Sequence, residues 1–354
     1  MKIAVMNIVP TNHYRINGTN LSGKQVLESY QAILDGLTNS GFKVFCSEFG
    51  INPETFEVDK AKFMEKLQDM ATTQGATSEM LDALSVDSDG NYIIHPSALP
   101  NINWIQSRLV SAMDKTIIKT VTPGKPLFQV ASAGYDNILK AEKSADRTLK
   151  SYNKDGFMEV KLSISLFKDV LKAAGLEDAS YDVQRKFLLD NQDILFGTSY
   201  RVPTQGQNST IPIKIVDVFE SQRGDIIMFP ADITALTGSD FDIDKMFLAN
   251  YNVEIVDGKA KRINCDFSNL DKLIEDLNSN DAKIADRANK ALQNGLLDIY
   301  LTILTNDKHR VDAVTPLDVT TEPLKKIKNE IEAKKGKAKD DRVSHPGWYL
   351  NPLF

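Results

Sequence analysis

The sequence predicts an α+β protein, with a β-rich centre between two helical flanks. Three observations carry this. Apolar residues recur at helical spacing over the first part of the chain and again near its end. Between them the pattern becomes alternating and rich in β-branched residues. Within that stretch, "VDGKAK" (Val256 to Lys261) sets an Asp-Gly pair between extended runs, which is a hairpin signature. The expected organisation is a mainly helical region over 1–155, the β-rich unit over 156–256, and a helical region over 257–354 with a lysine-rich tail.

Taken in order, a short opening strand is expected in "IAVMNIV" (Ile3 to Val9). In "KQVLESYQAILDGL", Val26, Leu27, Tyr30, Ile33, Leu34 and Leu37 share one helical face. A second helix is expected over "INWIQSRLVSAMDKTI", after the proline-marked loop "HPSALPN". "VDSDGNYII" reads as a turn at Asp89-Gly90 into a short strand, and "TPGKPLFQVASAGYD" as a loop into extended chain. "MEVKLSISLF" predicts a strand with Val160, Leu162, Ile164 and Leu166 on one face. Two helices follow, "KDVLKAAG" closed by Gly175 and then "DVQRKFLLDNQDI". Strands are expected at "SYRVP", "IPIKIVDVF", "DIIMF" and "MFLANYNVEIV". Helical periodicity returns through Ile284, Ala288, Ala291, Leu292, Ile299 and Ile303. No internal repeat is visible.

The composition is that of a globular protein, with 42% hydrophobic and 25% charged residues in 354. That length is enough for two or three domains with a real core. No apolar run approaches the ~18 residues of a membrane span, and the N-terminal stretch lacks the pattern of a secretory signal. Cys46 and Cys265 are too few for a disulfide framework or a cysteine zinc site. A net charge of -6 opposes general attraction to nucleic acid, so any such contact needs a local basic patch. Lys140, Lys143, Arg147, Lys150 and Lys154 form one such stretch, although a solvated helix face gives the same pattern.

"GTNLSGKQ" (Gly18 to Gln25) approaches a phosphate loop, but Gln25 stands where a magnesium-binding hydroxyl is required. A glycine turn before a surface helix fits better. "DFDIDK" offers aspartates at the first, third and fifth positions of an EF-hand. Lys245 then replaces the turn glycine and Tyr251 the closing glutamate, and "DSDGNY" fails in the same way. His13, His95, His309 and His345 are scattered, and there is no nucleophile elbow.

Asp240, Asp242 and Asp244 remain. In extended chain they share one face, with Phe241 and Ile243 on the other. Three carboxylates so close raise at least one pKa unless a cation sits among them or all are wet. Apolar strands on both sides and the Gly238-Ser239 approach favour a ligand. Hard oxygen donors without histidine or cysteine suit Mg²⁺. A solvated acidic turn is the alternative.

Taken together, "YRVPTQGQNSTIPIKIVDVFESQRGDIIMFPADITALTGSDFDIDKMF" resembles the double-psi β-barrel core of multisubunit-type RNA polymerases. It is most similar to the single-chain polymerases of crAss-like bacteriophages. Arg201, Pro203 and Thr204 match the family's R-x-P-T element, and Asp240, Asp242 and Asp244 match its metal-binding aspartates. Pro230 lies one residue from the expected proline. The resemblance is clear over 156–256. More faintly it reaches "PGKPLFQVASAG" and "NKALQNGLLDIYLTILTN". Ile243 stands where the cellular enzymes have glycine and Gly238 where they have asparagine, which puts ribose selection in doubt or rests it on Arg201. Gln205-Gly206-Gln207 replaces a leucine-histidine-arginine run and removes a basic contact.

The resemblance implies a double-psi β-barrel flanked by helical regions and a DNA-directed RNA polymerase activity. Asp240, Asp242 and Asp244 would be the catalytic metal ligands for one Mg²⁺, with a second arriving on the nucleoside triphosphate (NTP). Arg201, Pro203 and Thr204 would bind the NTP, and a nucleic-acid template and RNA product would be partners. A second double-psi barrel is not visible in 1–150, so a fragment or split subunit completed by another barrel is expected. A bacteriophage protein working in the host cytoplasm, or packaged in the virion, would follow. Two other readings stand beside it: a non-catalytic virion scaffold that retains the barrel, and a metal-dependent nuclease.

Overall fold

The structure is a computed structural model and describes residues 8–73, 77–99, 102–118, 123, 127–132, 149–150, 153, 155–201, 209–230, 233, 237 and 245–305. The chain separates into two compact units, one of residues 1–30, 122–270 and 290–354, the other of 31–121 and 271–289. Helices α1 (Gly23–Phe49), α2 (Lys60–Thr72), α3 (Ser78–Ala83) and α4 (Ile102–Met113) come first along the chain. They are followed by α5 (Lys168–Ala173), α6 (Tyr181–Asp190), α7 (Leu270–Asp276) and α8 (Ala282–Leu304).

The first unit opens with a hairpin of β1 (His13–Ile16) and β2 (Thr19–Ser22). Asn17 and Gly18 both take positive φ, 52° and 84°, as a type I′ turn requires. This hairpin lies just ahead of α1, where the sequence suggests a glycine turn before a surface helix. It replaces the phosphate-loop geometry altogether, because Thr19 to Ser22 are paired strand. A Cβ at Gly23 would sit 2.0 Å from the Val9 carbonyl oxygen, so this glycine serves a close backbone approach. The opening strand expected over 3–9 lies mostly outside the described residues, and Ile8 and Val9 are not in a strand.

Mixed α/β structure then forms around a curled sheet. Its strands are β3 (Leu127–Ser132), β4 (Met158–Ser163), β5 (Phe196–Arg201), β6 (Thr210–Phe219), β7 (Ile226–Phe229) and β8 (Lys245–Asn250). Their hydrogen-bonded order is β3-β7-β4-β6-β5-β8, and β8 pairs back onto β3, so the sheet closes. The β3/β7 and β4/β6 ladders are parallel, and the other four are antiparallel. Exchanging β3 with β6, β4 with β7 and β5 with β8 reproduces the same neighbours and the same ladder directions. The pairing therefore has a two-fold symmetry. The sheet also begins before residue 156, since β3 belongs to it.

Burial explains where the strand expectations fail. Met158, Val160 and Leu162 are buried in one core with Phe167, Leu171, Leu188, Ile213 and Phe229. Glu159 and Ser163, on the opposite face of β4, are buried as well. The expected strand stops at Ser163, whose Oγ accepts from the Ser165 N–H and starts a 3₁₀ turn over Ile164–Phe167. Ile164 and Leu166 thus leave the strand. "MFLANYNVEIV" likewise divides into β8 and β9 (Val253–Val256). Asn294 of α8 causes the break: its Oδ1 accepts from the Asn252 N–H at 2.8 Å, and its Nδ2 donates to the Asn252 carbonyl at 2.9 Å. The same carbonyl also accepts from the Ile263 N–H at 3.0 Å, so both main-chain groups of Asn252 are satisfied outside the β8 ladders. β9 pairs with β10 (Lys259–Arg262) across Asp257-Gly258, with φ of 52° and 71°.

The second unit is helical. Asp59 caps α2, its Oδ1 accepting from the Ala61 and Lys62 N–H groups at 3.1 Å. Phe45, Phe49, Met64, Leu67, Ala71, Leu84, Leu99 and Ile105 make its core. "VDSDGNYII" forms a turn in which Asp87 Oδ1 accepts from the Asp89 and Asn91 N–H groups, closed by a single Val86–Tyr92 bridge. α4 passes directly into a π-helical turn over Asp114–Ile118.

Candidate functional site

The sequence points to Arg201, Pro203, Thr204, Asp240, Asp242 and Asp244. Of these only Arg201 is among the described residues. Pro203, Thr204 and the three aspartates lie outside them, as do Lys140, Lys143, Arg147, Lys154, His309, His345 and the lysine-rich tail.

What is described is the frame on which the two motifs are mounted. Arg201 is the last residue of β5 and pairs with Met246 of β8 in an antiparallel ladder. Lys245, the first residue of β8, pairs with Gln129 of β3. Because the strands run antiparallel, the chain leaves β5 and enters β8 at the same end of the sheet. Asp244 is joined by its peptide bond to Lys245, and Val202 to Arg201. Tyr200 stacks on Phe247 across this ladder with ring centroids 5.4 Å apart, which stiffens the same end. Arg201 is half-buried, and its Nη1 donates to the Thr237 carbonyl at 2.6 Å. Thr237 is itself buried and donates through Oγ1 to the Ile233 carbonyl at 2.8 Å. The guanidinium is therefore anchored on one edge to the segment leading toward the aspartates.

Among the described residues, no group of three or more histidine, cysteine, aspartate or glutamate side chains is placed to hold a metal ion. No described helix is long and apolar enough to cross a membrane. Cys46 and Cys265 are both buried and free, and burial pushes the Cys265 thiol up to about 12.

A buried polar cluster was missed in the sequence. Asp298 of α8 accepts from the Tyr251 hydroxyl at 2.6 Å and from Arg262 Nη1 at 3.0 Å. Arg262 also donates through Nη2 to Asn17 Oδ1, and lies within 3.4 Å of Asp193. Burial drives the Asp298 carboxyl up to about 6, overriding Arg262 and Tyr251, which pull it down. The signal available in sequence is a lone acid inside the apolar run "GLLDIYL". These groups satisfy one another and tie the β9–β10 hairpin, the β1–β2 turn and α8 together. Their role is structural.

Comparison with known proteins adds no family: no protein-family model matches the chain, and no curated protein does.

Proposed function

We propose that this chain supplies the metal-binding half of an RNA-polymerase-type active site, performing DNA-directed nucleotidyl transfer onto an RNA 3′-hydroxyl. The observation that carries this reading is the placement of Arg201 opposite Met246, at the end of the sheet where the chain enters β8 from Asp244. The R-x-P-T element starts there, and the aspartate motif ends there. Arg201, which opens one motif, and Lys245, which follows the other, thus lie at one rim, and this supports a shared site for nucleotide and metal. The double-psi form of the barrel belongs to the same proposal. Its support is the two-fold symmetry of the strand pairing, which exchanges the two parallel ladders with each other.

Asp240, Asp242 and Asp244 would hold Mg²⁺, since three carboxylates without histidine or cysteine form a hard oxygen donor set. When bound, the metal supplies Lewis-acid activation of the attacking hydroxyl and charge stabilisation on the phosphoryl group. Arg201 would contribute a planar guanidinium, held in place through Thr237, to orient a phosphate or ribose. Pro203 and Thr204, the rest of the R-x-P-T element, would add to nucleotide binding. A second barrel in a partner chain or segment would complete the site.

Calorimetric titration of Mg²⁺ and Mn²⁺ into the wild type and Asp242→Ala tests the reading. Saturable binding in the wild type that the substitution abolishes is expected. Equal heats in both proteins would reduce the motif to a wet acidic turn on a scaffold. Template-dependent extension of an RNA primer separates polymerase from nuclease, which would shorten it instead.

A further inference from the structure

The helical unit contains a cavity of about 310 Å³ whose charge is opposite to that of the whole protein. Its walls carry Lys66, Arg108 and Lys115 against a single carboxylate, Glu48, while Phe49 and Met70 form an apolar part. The chain as a whole is at -6, so an excess of two positive charges around one small cavity runs against the average.

Each cation has its own mounting. Lys66, on α2, reaches to 3.5 Å from Glu48 of α1, so this pair is partly self-neutralised at the rim. Arg108, on α4, lies with its guanidinium 5.8 Å from the Trp104 ring centre, which restrains that plane. Its Nε is buried and has no hydrogen-bond partner among the described residues. A buried guanidinium N–H without an acceptor is costly, which marks Arg108 as a cation not fully satisfied by its described neighbours. Lys115 sits in the π-helical turn that continues α4. Such turns insert a residue into the helix and re-aim the side chains after it, and they are frequent at functional sites. Ser111 adds a hydroxyl to the same wall.

We propose that this cavity binds a small ligand bearing a phosphate monoester. Two excess positive charges match a dianionic phosphate better than a carboxylate, which carries one. The planar Arg108 fork suits tetrahedral phosphate oxygens. Phe49 and Met70 accept the less polar remainder of the ligand. The volume is at the small end of the range for ligand sites, which limits the ligand to roughly the size of a sugar phosphate or mononucleotide. The inference does not depend on the polymerase reading, since none of these residues belongs to the motifs at Arg201 or Asp240.

The test is titration of phenyl phosphate into the full chain at constant ionic strength, with benzoate as the monoanionic counterpart. Arg108→Met removes the fork while keeping its stem, and Lys115→Gln removes one charge at an exposed wall; circular dichroism melts establish that each is folded. Saturable phenyl phosphate binding, weakened about tenfold or more by either substitution and similarly weak for benzoate, is expected. Absence of saturable binding in the wild type, or equal affinity in the wild type and both folded variants, would overturn the proposal. So would displacement of phenyl phosphate by a 5′-hydroxyl oligonucleotide as effective as displacement by the 5′-phosphorylated one, because that assigns the charge to a nucleic-acid backbone.

Discussion

Arg201 and Thr237 are joined by a hydrogen bond of 2.6 Å from guanidinium to carbonyl, across 36 positions of sequence. Thr237 is buried, so its carbonyl depends on a protein donor rather than on water. Replacing Arg201 with Met keeps an apolar stem and removes the donor. A loss of about 1–2 kcal/mol in unfolding free energy is expected, measured from urea midpoints. An unchanged midpoint would mean that the contact is incidental and Arg201 is held for other reasons.

Asp298 makes stability depend on pH in a direction opposite to that of an ordinary salt-bridged aspartate. Its carboxyl lies at about 6 in the folded chain against a usual 3.8, because burial disfavours the charge. Between those values the native state binds the proton more readily than the unfolded chain does. Stability from this group is therefore greatest below the lower value, falls as pH rises through the window, and is level above it. The expected change is on the order of 3 kcal/mol. Subtracting the pH profile of Asp298→Asn from that of the wild type isolates it, and a flat difference would refute the assignment.

Gly197 sits in β5 opposite Asn250 of β8, where a Cβ would come within 2.4 Å of the Ala249 carbonyl oxygen. That atom is backbone in a closed sheet, so it has little room to yield. Gly197→Ala should cost about 1–3 kcal/mol and lower the thermal midpoint by several degrees. Gly175→Ala offers a contrast. It has φ of 71° but nothing within 4 Å of a Cβ, so its penalty is conformational only.

Some elements were legible in the sequence because their signals are local. The β9–β10 hairpin was visible in Asp257-Gly258, and α8 in its apolar stripe. The β1–β2 hairpin carries the same kind of signal in Asn17-Gly18, yet "HYRI" and "TNLS" lack the apolar alternation that draws attention to a strand. Membership of β3 in the sheet was hidden for a different reason. Its ladders run to β7 and β8, far along the chain, and parallel pairing leaves no turn between partners to read. The break at Asn252 could not be seen because its cause, Asn294, lies on a helix distant in sequence. At the candidate site the motifs were visible in the sequence, but the register that sets Arg201 opposite Met246 was not.

The strand pairing also governs the order in which the protein can acquire its sheet during synthesis. Every ladder of the closed sheet joins one of β3, β4 or β5 to one of β6, β7 or β8. A nascent chain that has emerged only as far as Arg201 therefore holds three strands with no partner among them. Met158–Ser163, buried on both faces once folded, must wait unpaired for Thr210 onward to leave the ribosome. The helices of residues 31–118 can form meanwhile from local contacts, but the sheet can close only late and all together. Its formation should be slow relative to the helical unit, and the interval before β6 emerges is when this chain is most exposed to aggregation and most dependent on a chaperone.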